Sequence, residues 1–180
     1  MRTRHPALAA LPLAAILLAS ASAATPRGVV PARLAVPIVE QTRERCGPAA
    51  LEMVLRYYGA GPAALREAER AYDPALRGTL ITDLAAAARR AGYAAEIATL
   101  SPDSLVALLG AGLPPIVLYQ AGIEPLTAGH FGVVTGWDPG RGAFTVNTGE
   151  ARARVMRRAE LASRWKTAGS QALLVRRRSP

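Results

Sequence analysis

The sequence predicts an α+β domain, with helices first and an antiparallel sheet after them. Three observations predict it. Between residues 46 and 110 apolar side chains recur at helical spacing, as in Ala50, Met53, Val54 and Tyr57. After residue 114 the pattern changes to short apolar runs separated by turn residues, as in Ile116-Val117-Leu118-Tyr119 and Ala143-Phe144-Thr145-Val146. No repeat or linker divides the chain, so its 180 residues allow one domain with a proper core.

The first residues stand apart from that domain. Met1 to His5 is a basic start, residues 7–18 are an apolar run, and residues 19–24 are small. This is the pattern of a secretory signal peptide over residues 1–24, cleaved after Ala23 or Ala24. The apolar run falls short of the roughly 20 residues that a membrane span needs. The mature chain is therefore expected to be exported, to a periplasmic or extracellular location. Residues 25–35 form a short lead-in, and the domain occupies residues 36–178.

Within the domain, residues 36–39 suit a short extended entry. A largely buried helix starts after Cys46, with Pro48 in its first turn and Gly59 as its stop. Glu52 and Arg56, one turn apart, can pair on its wet side. Gly61 and Pro62 open a more polar helix to about residue 71, broken by Asp73-Pro74. Thr82 or Asp83 caps a third helix ending near Gly92. Residues 93–99 read as a strand, and Ser101-Pro102-Asp103 opens a helix over 105–109.

Residues 114–119 form a central strand, followed by a glycine-rich loop over 120–129. A second strand runs over 130–137, with His130 at its start. The turn at residues 138–142 returns the chain as a strand over 143–146. A strand over 152–156, a helix over 159–165 and a strand over 171–175 complete the reading.

The formal net charge is +9, and loss of Arg2 and Arg4 with the leader lowers it by two. No Lys/Arg stripe with interleaved aromatics accompanies it, so a nucleic-acid partner is not expected. A solvated basic surface facing anionic lipid or an acidic partner fits better.

The chain holds one cysteine and two histidines. Cys46 can form no internal disulfide, and without the leader His130 is the only imidazole. A cysteine at a helix start lies beside unpaired N–H groups and the positive end of the helix dipole, which favour the thiolate. A thiol nucleophile also needs a base and a group to orient that base. His130 is the one base available. In the predicted hairpin Asn147 returns beside His130 and can hold its ring. Asp138 is about eight strand residues away at ~3.3 Å each, too far for a hydrogen bond. The backbone N–H of Cys46 and the amide of Gln41 are candidate donors to an oxyanion. One cysteine and one histidine fall short of a zinc site, so neither metal nor cofactor is expected.

Gln41 with Cys46-Gly47-Pro48-Ala49-Ala50-Leu51, then Gly78-Thr79, Leu84, Ala88 and Gly92, then Pro115-Ile116-Val117-Leu118 and Gly129-His130-Phe131-Gly132, resembles the papain-like bacteriocin-processing peptidases. These are the double-glycine leader peptidases, with stand-alone exported relatives. The resemblance spans about residues 36–175. It implies a papain-like cysteine peptidase fold, Cys46 as nucleophile, His130 as base and Gln41 as oxyanion donor. The family usually carries an aspartate, often in Asp-Pro, where Asn147-Thr148 stands, and with no further membrane span or phosphate-binding loop in the sequence the transporter-linked role is not expected. The expected function is hydrolysis of peptide bonds in an exported compartment. The expected partners are a peptide or protein substrate and, in an export role, a component of an export machinery. Two alternatives use the same site: an acyltransferase, and a non-catalytic peptide-binding module that assists secretion.

Overall fold

The computed structural model describes residues 32–42, 44–123 and 126–178. The expected signal peptide and most of the lead-in lie outside the described residues. The elements run β1 (Ala32–Arg33), α1 (Cys46–Tyr57), α2 (Pro62–Glu69), α3 (Ile81–Arg90), β2 (Tyr93–Thr99), α4 (Pro102–Gly110), β3 (Ile116–Ile123), β4 (Leu126–Asp138), β5 (Ala143–Asn147), β6 (Arg154–Arg157), α5 (Arg158–Thr167) and β7 (Gln171–Arg177). All strand pairings are antiparallel, in the order β2-β7-β3-β4-β5-β6, with β1 pairing β4. The α+β class and the helix-then-sheet order are as the sequence predicts.

The sheet buries both faces. On one, Leu51, Val54, Leu84 and Ala88 of α1 and α3 pack with Ile116, Val133 and Leu173. On the other, Leu105 and Leu109 of α4 and Leu161 and Trp165 of α5 pack with Val117, Phe144 and Leu174. Trp165 is buried yet satisfied, because its indole N–H donates to the Gln171 carbonyl at 2.7 Å. Strand β7 enters between the edge strand β2 and β3 and so joins β2 to the rest of the sheet.

Three local expectations need correction. The Thr82 or Asp83 cap of α3 is absent: Leu80 takes the cap position without a side-chain bond, and both residues fall inside the first turn. There Asp83 still favours the dipole. Ser101, by contrast, caps α4 by accepting from the Ser104 N–H at 3.2 Å. Of the expected loop over 120–129, residues 120–123 and 126–129 instead continue the β3–β4 ladder, paired as far as Ile123 with Leu126. Glycine and alanine weaken a strand's side-chain signal but still supply the N–H and C=O groups that make a ladder. His130 therefore lies within β4, not at its start.

Candidate active site

Cys46 is the first residue of α1, whose next eight residues are buried except for Glu52. The helix is fixed against the sheet, and the thiol at its end is fixed with it. The first turn of a helix has N–H groups with no intrahelical acceptor. Gly47 lets the neighbouring chain approach this end closely. A Cβ there would stand 2.8 Å from Cβ of Thr79. Pro48 follows without the cost of a lost hydrogen bond.

His130 sits opposite Tyr119 in the β3–β4 ladder, and the Tyr119 ring meets the imidazole edge-on at 5.5 Å between centroids. Burial pushes the Tyr119 phenol up to about 12, so it stays protonated. His130 Nε2 lies 3.0 Å from the Thr148 carbonyl. A carbonyl only accepts, so Nε2 carries a proton, and Nδ1 is left to face Cys46. The two side chains lie close enough for each to shift the other's titration.

Their electrostatics run together. Burial pushes the Cys46 thiol up. The hydrogen bond with His130, another from the Phe131 N–H, the imidazolium charge and a bond from the Gly47 N–H outweigh it, and the thiol titrates below its ordinary value. Burial likewise disfavours a charged His130. The bond to Cys46, the charge of its thiolate, the Thr148 carbonyl and Glu150 outweigh that, and the imidazole titrates above its ordinary value. Shifts in these opposite directions favour a thiolate–imidazolium pair.

Gln41 and Cys46 line one cleft with His130, with a volume of about 520 Å³. The Gln41 N–H donates to the Gly149 carbonyl at 2.9 Å. Its side-chain Oε1 is buried without a hydrogen-bond partner among the described residues. The facing wall is the connection from Leu76 to Leu80, pinned by the bridge between Asp73 and Gly78. Leu76 and Leu80 remain 55% and 53% exposed and give the cleft an apolar lip. At the rim Arg77 pairs with Glu44, whose backbone φ is +68°.

Asn147 is not where the hairpin argument puts it. The strands pair from Asp138 with Ala143, with an irregularity between Val134 and Gly136, and Asn147 falls opposite Val133. That is three residues beyond His130. The Asn147 Nδ2 donates to the Val36 carbonyl at 3.2 Å, and the hydrogen bond on the imidazole comes from the next residue's backbone. The structure thus brings Cys46, His130 and Gln41 to one cleft and turns the Asn147 amide N–H elsewhere. Sequence reasoning missed the Thr148 carbonyl, the Phe131 N–H and the Leu76–Leu80 wall. The first two are backbone groups without a residue signature. The third had only the Asp73-Pro74 turn to mark it.

A cysteine at a helix start, sharing one cleft with a histidine of the facing sheet and a glutamine, is the arrangement of papain-like cysteine peptidases. Residues 33–173 match the model of the Peptidase_C39 like family, and the chain belongs to that family. Among curated proteins the chain has no match. Solved structures share the fold. The peptidase domain of Streptococcus ComA, a bi-functional ABC transporter in a quorum-sensing pathway, superposes with a TM-score of 0.63 at 20% identity, covering 79% of this chain and 99% of that one. A double glycine motif protease from an AMS/PCAT transporter, in complex with the leader peptide, gives 0.63 at 21% identity, covering 82% and 95%. A C39-like protein from Bacillus anthracis gives 0.66 at 17% identity, covering 84% and 100%. Among the described residues no helix is long and apolar enough to cross a membrane, and no cluster of His, Cys, Asp or Glu is placed to hold a metal ion.

Proposed function

We propose that this protein is an exported cysteine peptidase in which Cys46 is the nucleophile, His130 the general base and acid, and Gln41 an oxyanion donor. The observation that carries the reading is the meeting of Cys46 and His130 in one cleft, with Nε2 held by the Thr148 carbonyl and the thiol shifted below its ordinary value by the imidazole. His130 Nδ1 takes the thiol proton, and the thiolate attacks the peptide carbonyl carbon. The carbonyl oxygen becomes an oxyanion facing the Gln41 amide and the Cys46 N–H. Collapse expels the amine, which takes the proton from His130, and leaves a thioester. His130 then deprotonates a water, which releases the acid and restores the thiol.

Export rests on the basic, apolar and small-residue order of residues 1–24. The peptide substrate rests on the family and on the leader peptide bound to the AMS/PCAT relative. A component of an export machinery is a second proposed partner. One experiment covers both parts: full-length chain is expressed, and the exported protein is weighed and assayed against a peptide library. The mature mass should lack the first 23 or 24 residues. Wild type should cleave a subset of peptides, and Cys46→Ala should cleave none. Cleavage retained in Cys46→Ala removes the mechanism, and an uncleaved leader removes the export proposal.

A further inference from the structure

The tripeptide Asn147-Thr148-Gly149 touches both sides of the site. Asn147 is 4% exposed, and its amide donates to the carbonyl of Val36, 111 positions away in sequence. Gly149 accepts from the Gln41 N–H at 2.9 Å. Its φ is +80°, and its Cα lies so close under the Gln41 side chain that an added Cβ would stand 2.8 Å from Gln41 Cγ. Residues 36–41 belong to no helix or strand. The segment that ends in Gln41 is therefore held at one end by Asn147 and at the other by Gly149. Between them, the Thr148 carbonyl holds His130.

We propose that Asn147 is a positioning residue for the oxyanion side of the site, fixing the segment that carries Gln41, while the Thr148 carbonyl orients the histidine. The proposal rests on the peptidase reading for the role of Gln41. It makes a specific demand on residue type. The Val36 carbonyl can only accept, so the residue at 147 must donate. Asparagine does so, and a carboxylate cannot. An aspartate at this place would bury a charge against a carbonyl oxygen, and its nearest partner would be lost. The substitution that residue-type analogy would choose to strengthen the histidine, Asn147→Asp, is here a damaging one.

Two reagents separate the roles on the mature chain. Iodoacetamide alkylates Cys46 by displacement of iodide and forms no oxyanion. p-Nitrophenyl acetate acylates it: the thiolate attacks the ester carbonyl, a tetrahedral oxyanion forms, and p-nitrophenolate leaves. Asn147→Asp and Asn147→Ala are each expected to lower acylation at least about tenfold while the alkylation rate stays within about twofold and its pH midpoint does not move, because only acylation uses the oxyanion donors. Thermal melting checks that each variant folds. If Asn147→Asp does not, Asn147→Ala carries the test. The positioning role is overturned if Asn147→Ala moves the alkylation midpoint upward as His130→Ala does, if Asn147→Asp keeps or raises acylation, or if every rate is unchanged. A wild type inert to both reagents overturns the peptidase reading itself, and the positioning role with it. A reactive wild type with unmoved variants overturns only the positioning role.

Discussion

The Cys46 side of the cleft rests on one helix, whereas the His130 side rests on the register between strands and on a loop that crosses back to the start of the domain. On the first side the parts are neighbours in sequence: Cys46, Gly47, Pro48 and the buried run of α1. On the second, Tyr119, His130, Thr148, Gly149, Gln41 and Val36 come from widely separated places. A helix places its first residue through local periodicity. A strand pair places its residues through the position of the turn and of any bulge, and one step of error moves every later partner. The thiol's position is thus set by a short segment, and the histidine's setting is set by much of the sheet.

The contrast can be broken from either side. Gln41→Ala removes the proposed oxyanion donor and leaves the thiol pair in place. Acylation by p-nitrophenyl acetate should fall about 10²- to 10³-fold, roughly 2.7–4 kcal/mol of transition-state stabilisation, while iodoacetamide labelling holds. A parallel fall in labelling would mean that Gln41 supports the Cys46–His130 pair instead. Gly47→Ala acts on the helix side. Its Cβ meets the Thr79 side chain at 2.8–3.1 Å, and relief requires Thr79 or the 76–80 wall to shift. A loss of about 1–3 kcal/mol is expected, measured as a lower midpoint in urea unfolding. An unchanged midpoint would show that the wall moves freely and that the cleft is looser than drawn.

The two sides also differ in how much of them was legible in the sequence. Helix α1 could be read from Pro48, the apolar stripes and Gly59, and its wet-side pair Glu52–Arg56 forms at 2.6 Å. Strand β2 matches its predicted bounds, since its rough alternation ends at the Gly92 and Ser101 signals. The β3–β4 extension was hidden, because Ala121, Gly122, Ala128 and Gly129 carry little side-chain information about pairing. The hairpin reading put Asn147 beside His130, whereas it stands opposite Val133 and donates to the Val36 carbonyl. The hairpin's turn and irregularity fix a register that residue types do not display. The group on His130 is a main-chain oxygen, which any residue at 148 supplies. Backbone chemistry of that kind becomes visible only once the fold is known.

The central claim is that His130 holds the Cys46 thiol below its ordinary value and so enriches the thiolate. Its most direct test is the pH dependence of iodoacetamide labelling of Cys46 in wild type and in His130→Ala. The lowered thiol means that the reactive form appears as pH rises through a midpoint below the ordinary value of 9.0. The raised imidazole, above its ordinary 6.5, means that the proton needed by a leaving amine persists to higher pH than on a free imidazole. Wild type should therefore label at pH 6–7 faster than a free cysteine peptide. In His130→Ala the midpoint should move upward, toward that of an ordinary thiol. A wild-type midpoint at or above the ordinary thiol value, or one that His130→Ala leaves in place, would contradict the account.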